Sequence, residues 1–249
     1  MVITIVGYGE MARALIEGLL QSGEEVEVIG RSEEKLQQIA LLYPIQTRLL
    51  DGVDIQDKTL ILAVKPHTLE EVAKKLQGEA ALLISILAGV ELDRLHIIKA
   101  HHYVRAMPNI AAAKKASMTT LTGDIEAKPK ALEIFSHIGR TLWVESEKEL
   151  DIATAIAGSG PAFLALVAEA IADGGVAAGL KREDAFTLTK GLFHSFSSLE
   201  DEHPALIKDK VMSPAGTTAA GYRALESEGV RSAFIEAILE AYQRTLKTN

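Results

Sequence analysis

VITIVGYGEMARA, from Val2 to Ala14, is the stretch that decides how the rest of the chain is read. Val2–Val6 is a β-branched apolar run, the pattern of a buried strand. Gly7-Tyr8-Gly9 follows without a spacer, and Glu10 to Leu20 then carries apolar residues at helical spacing. Strand, glycine turn and helix in this order is the setting in which a glycine pattern points to nucleotide binding; alone, the same pattern is an ordinary strand-to-helix turn. Gly7 allows the tight turn, and Gly9 lets a pyrophosphate approach the backbone. Ala12 takes the third small position, where the helix packs closely on the strand. The helix start at Glu10 and Met11 offers free N–H groups and partial positive charge to phosphates. Gly7, Tyr8, Gly9, Glu10, Met11 and Ala12 form the expected cofactor loop.

The remainder of the chain repeats this alternation up to about residue 147. Strands are expected at Val26–Ile29, about 44–48, Leu60–Val64, Ala81–Ile86, His102–Met107, Met118–Leu121 and Thr141–Val144. Helices are expected from a Ser32 N-cap, over Thr68–Leu76 and around Pro129–Ile138. Strands alternating with helices imply βαβ units and a mainly parallel, doubly wound sheet of Rossmann type. Beyond Lys148 the pattern is helical throughout, with stretches near 148–156, 161–178, 182–200, 204–211, 215–227 and 230–246. The expected division is residues 1–147 for the dinucleotide and 148–249 for an all-α domain. Phe163 to Ala172 is apolar nearly all round, more than a small helical unit hides alone, so burial against a second subunit is expected. The run Glu145–Asp151 reads as a solvated connection.

Composition narrows the function classes. The 249 residues carry a formal charge of −8, which argues against a nucleic-acid partner. There is no cysteine, so no disulfide framework is possible. No apolar run reaches about 18 residues without a charge, so no membrane span is expected. Met1 leads straight into a strand, leaving no room for a signal peptide. The expectation is a soluble cytoplasmic protein. The seven histidines, His101-His102 among them, lack metal-ligand spacing with carboxylate partners, and no metal site is expected.

In an open α/β sheet, ligands sit beyond the carboxyl ends of the strands. At the end of the second strand, Gly30-Arg31-Ser32 stands where an NAD-selective site would carry a carboxylate. The Arg31 guanidinium and Ser32 hydroxyl suit a 2′-phosphate, so NADP(H) is preferred and NAD(H) is kept as the alternative. Ala63-Val64-Lys65-Pro66 follows the Leu60–Val64 strand and brackets a cofactor's ribose and phosphates, with Pro66 fixing the turn. Leu87-Ala88-Gly89 gives small residues where a nicotinamide ring needs close backbone. Met107-Pro108-Asn109 supplies an apolar side chain, a rigid turn and an amide. Each of these segments, taken singly, also serves as a plain strand exit.

Taken in order, GYGEMARA, AVKP at 63–66, SILAG at 85–89, RAMPN at 105–109, GSGPAF at 158–163 and DKVMSPAGTTAAGYRALE at 209–226 resemble the pyrroline-5-carboxylate reductase family. The resemblance implies reduction of a cyclic imine, 1-pyrroline-5-carboxylate, to L-proline by NADPH or NADH. It also implies a Rossmann domain followed by a helical dimerisation domain, with a homodimer and higher rings of dimers as the assembly. Ser213 to Thr218 reads as a helix opening, with Ser213 a cap and Pro214 in an early helical position. Such an end offers N–H groups to a carboxylate without any lysine. By resemblance, Ser213, Gly216 and Thr217 hold the substrate carboxylate, and Thr218 hydrogen-bonds the ring nitrogen as the catalytic group. Gly158-Ser159-Gly160-Pro161 lies, by resemblance, beside nicotinamide and substrate.

Two rival readings remain. A β-hydroxyacid dehydrogenase shares the two-domain plan but normally uses a lysine on the helix after the junction, and Phe163–Ile171 carries none. A dinucleotide-sensing interaction protein would keep the glycine loop and use SPAGTT only as a helix start.

Overall fold

The structure is a computed structural model that describes residues 2–246. In chain order the strands are β1 (Val2–Val6), β2 (Glu25–Gly30), β3 (Gln46–Leu49), β4 (Val53–Asp54), β5 (Thr59–Leu62), β6 (Leu76–Gln77), β7 (Leu82–Ser85), β8 (Tyr103–Met107), β9 (Ser117–Gly123) and β10 (Gly139–Trp143). The helices are α1 (Glu10–Gln21), α2 (Glu33–Leu42), α3 (Leu69–Ala73), α4 (Leu92–Leu95), α5 (Lys128–Ser136), α6 (Glu147–Ala153), α7 (Gly160–Ala177), α8 (Arg182–Ser197), α9 (Pro204–Val211), α10 (Thr217–Ser227) and α11 (Val230–Leu246). They form two compact units: Met1–Ser159 together with the tail from Ala241, and Gly160–Glu240.

The first unit is an eight-stranded sheet in the order β10-β9-β8-β7-β5-β1-β2-β3. Every neighbouring pair is parallel except β8 with β9, which run antiparallel. From β1 the chain winds outward through β2 and β3, then returns to β5 on the other side. Strand order reverses there, and the crevice beyond the carboxyl ends is where such folds bind ligands.

The apolar runs of the strands are continuous because both faces of the sheet are covered. Ile3, Ile5, Val26, Val28, Ile61 and Ile84 join one buried cluster with Ala12, Leu15, Ile16 and Leu19 of α1. Val6, Ile29, Leu60, Leu62 and Leu83 join a second cluster with Leu69 and Val72 of α3. Successive residues thus alternate between the two cores, as the two-residue period of a strand requires. One carboxylate is buried within β2: Glu27 accepts from the Thr4 hydroxyl at 3.1 Å and pairs with Lys58 at 2.9 Å and Arg48 at 2.6 Å. Two cations and a hydroxyl offset the loss of its water.

Three local expectations are corrected. The helix expected over Thr68–Leu76 is a 3-10 turn at Pro66–Thr68 followed by α3, which ends at Ala73. Leu76 then pairs with Val53 in a two-stranded parallel ladder, β4 with β6, which takes those residues out of the helix. The run Glu145–Asp151 is not a solvated connection. Within it, Glu147 opens α6 behind a Ser146 N-cap, and Asp151 is buried. Both carboxylates meet Arg105 of β8, at 2.8 and 3.0 Å. The third correction concerns residues 213–218 and is described with the site.

The second unit is helical. α7 packs on α8, with Ala172, Ala185 and Thr189 buried. A Cβ added to Gly175 would sit 3.3 Å from the Leu180 side chain and 3.4 Å from Ala185 Cβ, so the two helices approach closely. Outside that seam α7 is poorly covered: Leu164, Leu166 and Ile171 are all exposed, Leu166 by 67%. The helical run Glu147–Ala177 is long and apolar enough, by length and composition alone, to span a membrane, yet only 11% of its most apolar window is buried in the protomer.

Candidate active site

A cavity of about 930 Å³ opens at the carboxyl ends of the central strands. Its floor is the glycine loop. Gly7 adopts φ +119°, and a Cβ there would lie 2.4 Å from the Ala63 carbonyl oxygen, so only glycine fits. Gly9 is the N-cap of α1 and has no side-chain cap partner. A Cβ on Gly9 would meet no protein atom within 4 Å, so the space above it is left open. Bare backbone at a helix start with open space over it fits a pyrophosphate.

Tyr8, Glu10, Met11 and Arg13 line the same cavity, whereas Ala12 is fully buried in the core beneath it. Tyr8 turns back over the end of β2: a Cβ on Gly30 would stand 2.3 Å from Tyr8 Cε1. Gly30 is therefore a seat for the Tyr8 ring. Lys35 Nζ lies 5.8 Å from the centre of that ring.

The wall beyond β2 carries Arg31, Ser32 and Lys35. Ser32 is the N-cap of α2, accepting from the Lys35 backbone N–H at 3.4 Å, as its position ahead of Glu33 and Glu34 predicts. Arg31 Nη1 is 3.5 Å from Glu71 Oε2 of α3. Sequence reading missed both Lys35 and Glu71. Lys35 is one helical turn from Ser32 and could have been found from that spacing, but Glu71 enters only through the fold.

The opposite wall is Ala63, Val64, Lys65 and Pro66, continued by His67 and Thr68. Leu87 and Ala88 complete the lining next to Ile86. Buried Ser85 accepts from the Leu87 N–H at 3.2 Å and holds that turn. Gly89, Met107, Pro108 and Asn109 do not line the cavity. Asn109 is nearly buried and is used structurally: its Oδ1 accepts from Ala111 N–H, and its Nδ2 donates to the Ala157 carbonyl at 3.0 Å.

In the second unit, α10 begins at Thr217 with Gly216 as its N-cap, and no side chain caps it. Ser213 is thus not the cap, and Pro214 is not helical. Ser213 to Gly216 form a turn closed by Gly216 N–H to the Ser213 carbonyl at 3.0 Å, with Ala215 at φ +58°. Pro214 and a left-handed third residue have the form of a type II turn. A Cβ on Gly216 would be 2.3 Å from Ser213 Oγ, so the hydroxyl sits against the bare helix start. Thr217 and Thr218 are exposed on the first turn. Gly158 closes a π-helical turn, Thr154–Gly158, just before α7.

Known proteins share the fold. Residues 2–89 match the family model described as NADP oxidoreductase, coenzyme F420-dependent, and residues 147–248 match the model of pyrroline-5-carboxylate reductase dimerisation. A pyrroline-5-carboxylate reductase of Synechocystis sp. is 41% identical over 258 residues, covering 97% of this chain and 96% of that protein. One from Helicobacter pylori is 35% identical over 254 residues, covering 98% of each. The crystal structure of 1-pyrroline-5-carboxylate reductase from Streptococcus pyogenes has a TM-score of 0.86 at 33% identity, over 99% of this chain and 98% of that one. The chain belongs to the pyrroline-5-carboxylate reductase family.

As a member of the pyrroline-5-carboxylate reductase family it is an oxidoreductase that works with a nicotinamide dinucleotide. The match to the dimerisation model begins at residue 147, so it includes α6, whose Asp151 pairs with Arg105.

Proposed function

We propose that the protein reduces the imine bond of 1-pyrroline-5-carboxylate to give L-proline, the closing step of proline synthesis. The observation that carries this reading is likeness over nearly the full length to pyrroline-5-carboxylate reductases, that of Synechocystis sp. being 41% identical. In this reading residues 1–147 hold the dinucleotide, and residues 148–249 serve dimerisation and the substrate.

The cavity fits a dinucleotide. Gly7 and Gly9 shape the pyrophosphate seat, with Tyr8, Glu10 and Met11 beside it and Ala12 holding α1 against the sheet. Ala63–Pro66 bracket the middle of the cofactor, and Leu87 and Ala88 face its nicotinamide end, with Gly89, Met107, Pro108 and Asn109 supporting that end from behind the lining. Arg31 and Ser32 favour NADP(H), because a guanidinium and a hydroxyl match a 2′-phosphate. When bound, the reduced nicotinamide supplies the hydride.

The chain's own task is to position the imine. The uncapped start of α10 supports an anion site: Gly216 and Thr217 N–H groups and the Ser213 hydroxyl hold the substrate carboxylate. Thr218 is the catalytic residue, with its hydroxyl on the ring nitrogen. A protonated iminium needs no strong acid, so orientation and one hydrogen bond suffice.

The assembly in this reading is a homodimer through the helical region, open to rings of dimers, in the cytoplasm. Leu166 and Ile171 on α7, with Leu188 and Leu192 on α8, are exposed in the protomer and supply the apolar surface. Following NADPH absorbance with the imine, and separately NADP+ with a 3-hydroxyacid, tests the activity. Oxidation of NADPH by the imine alone supports it; turnover of the hydroxyacid alone, or of neither, rejects it.

A further inference from the structure

The cation that faces a 2′-phosphate is not free. Arg31 Nη1 lies 3.5 Å from Glu71 Oε2, and both side chains line the cavity, 61% and 50% exposed. Glu71 comes from α3, across the cavity from the end of β2, and sits in the first turn of its helix. Lys35 stands one turn beyond the Ser32 cap with its ammonium near the Tyr8 ring. A 2′-phosphate entering this wall would meet two cations and one carboxylate, and the carboxylate already pairs with one of the cations. A dinucleotide with a bare 2′-hydroxyl would leave the Arg31–Glu71 pair intact.

We propose that Glu71 is a specificity-determining residue that sets the ratio of NADPH to NADH affinity by competing with the 2′-phosphate for Arg31. This deepens the NADP(H) reading above and rests on its assignment of Arg31. Exposed pairs are weak, so the phosphate displaces Glu71 rather than being excluded by it. Removing the negative charge while keeping the side-chain shape releases Arg31 for the phosphate. The consequence falls only on the phosphorylated cofactor.

The test is calorimetric titration of the full-length protein with 2′,5′-ADP and with ADP, which report the adenosine end without turnover. Glu71→Gln should tighten 2′,5′-ADP by about 3- to 10-fold, the scale of losing one competing charge in a partly screened site. ADP binding should stay within about 2-fold. In an Arg31→Ala background the same substitution should gain less than about 2-fold, because the pair is gone. Equal changes for both ligands, or an undiminished gain without Arg31, would overturn the proposal. Arg31→Ala alone tests the underlying reading: if it weakens both ligands equally, the assignment of Arg31 fails. If it is selective while Glu71→Gln is silent, only the role of Glu71 fails.

Discussion

Arg105 Nη2 donates to Asp151 Oδ1 at 3.0 Å, joining the central strand β8 to helix α6 with both residues buried. The same guanidinium donates from Nη1 to Glu147 Oε1 at 2.8 Å, and that oxygen also accepts the Leu92 N–H at 2.9 Å. One buried arginine thus braces the start of the dimerisation region and the turn into α4. Removing a single partner leaves a charge in the core with less compensation. Asp151→Ala is expected to lower stability by about 3 kcal/mol, toward the low end for a broken buried pair because Glu147 remains. Urea unfolding of the full chain measures it, and Asp151→Asn should lose less than the alanine variant.

Gly7 and Gly9 should separate folding from binding. At Gly7, φ +119° and the Ala63 carbonyl 2.4 Å from an added Cβ leave alanine no place, so Gly7→Ala should cost more than about 2 kcal/mol. Gly9→Ala meets no protein atom and should lower stability by no more than about 1 kcal/mol, the difference between glycine and alanine as an N-cap. It should nevertheless weaken NADPH binding, since its methyl occupies the open space over the helix start. Melting curves and NADPH titrations on both variants check the contrast.

These residues show how much the chain discloses before it folds. Gly7, Gly9 and Ser32 are legible because their roles are local: a turn, a bare backbone and a cap. The apolar strands are legible because burial on both faces leaves an unbroken β-branched run. Glu147 and Asp151 look like surface charges in the sequence, since nothing local announces that β8 carries a buried arginine opposite them. Leu76 likewise leaves its helical pattern to pair with Val53, a partner 23 residues away. Glu71 escapes notice for the same reason, being brought to Arg31 only by the return of the chain through β5.

Arg31 carries the expected cofactor preference. Arg31→Ala should raise KM for NADPH by roughly 10-fold, the low end for a charge-assisted contact at so exposed a side chain, and leave KM for NADH nearly unchanged. Steady-state kinetics with both cofactors at fixed imine decides it; equal rises refute the assignment.

A charge on the exposed face of α7 should disrupt assembly. Leu166→Asp places a carboxylate on a residue that is 67% exposed in the protomer, so the fold should survive while the dimer dissociates. Sedimentation at micromolar concentration, with circular dichroism to confirm helicity, provides the check. A parental protein that sediments as a monomer would contradict the proposed assembly.

Thr218 should act on catalysis rather than on anion binding. Thr218→Val keeps the shape of the side chain and the backbone donors of α10 but removes the hydroxyl. Proline binding should change little, while kcat/KM for the imine falls by about 10- to 100-fold, the worth of one or two hydrogen bonds to a charged group. Thr218→Ser should keep much of the activity.

The most direct measurement of the central claim follows the hydride itself. NADPH carrying deuterium at the transferable position of the nicotinamide is incubated with 1-pyrroline-5-carboxylate and the protein in ordinary water. Mass spectrometry and NMR of the product should find L-proline with one deuterium on Cδ, the former imine carbon. Proline without the label, or no proline while the cofactor stays reduced, would contradict the account.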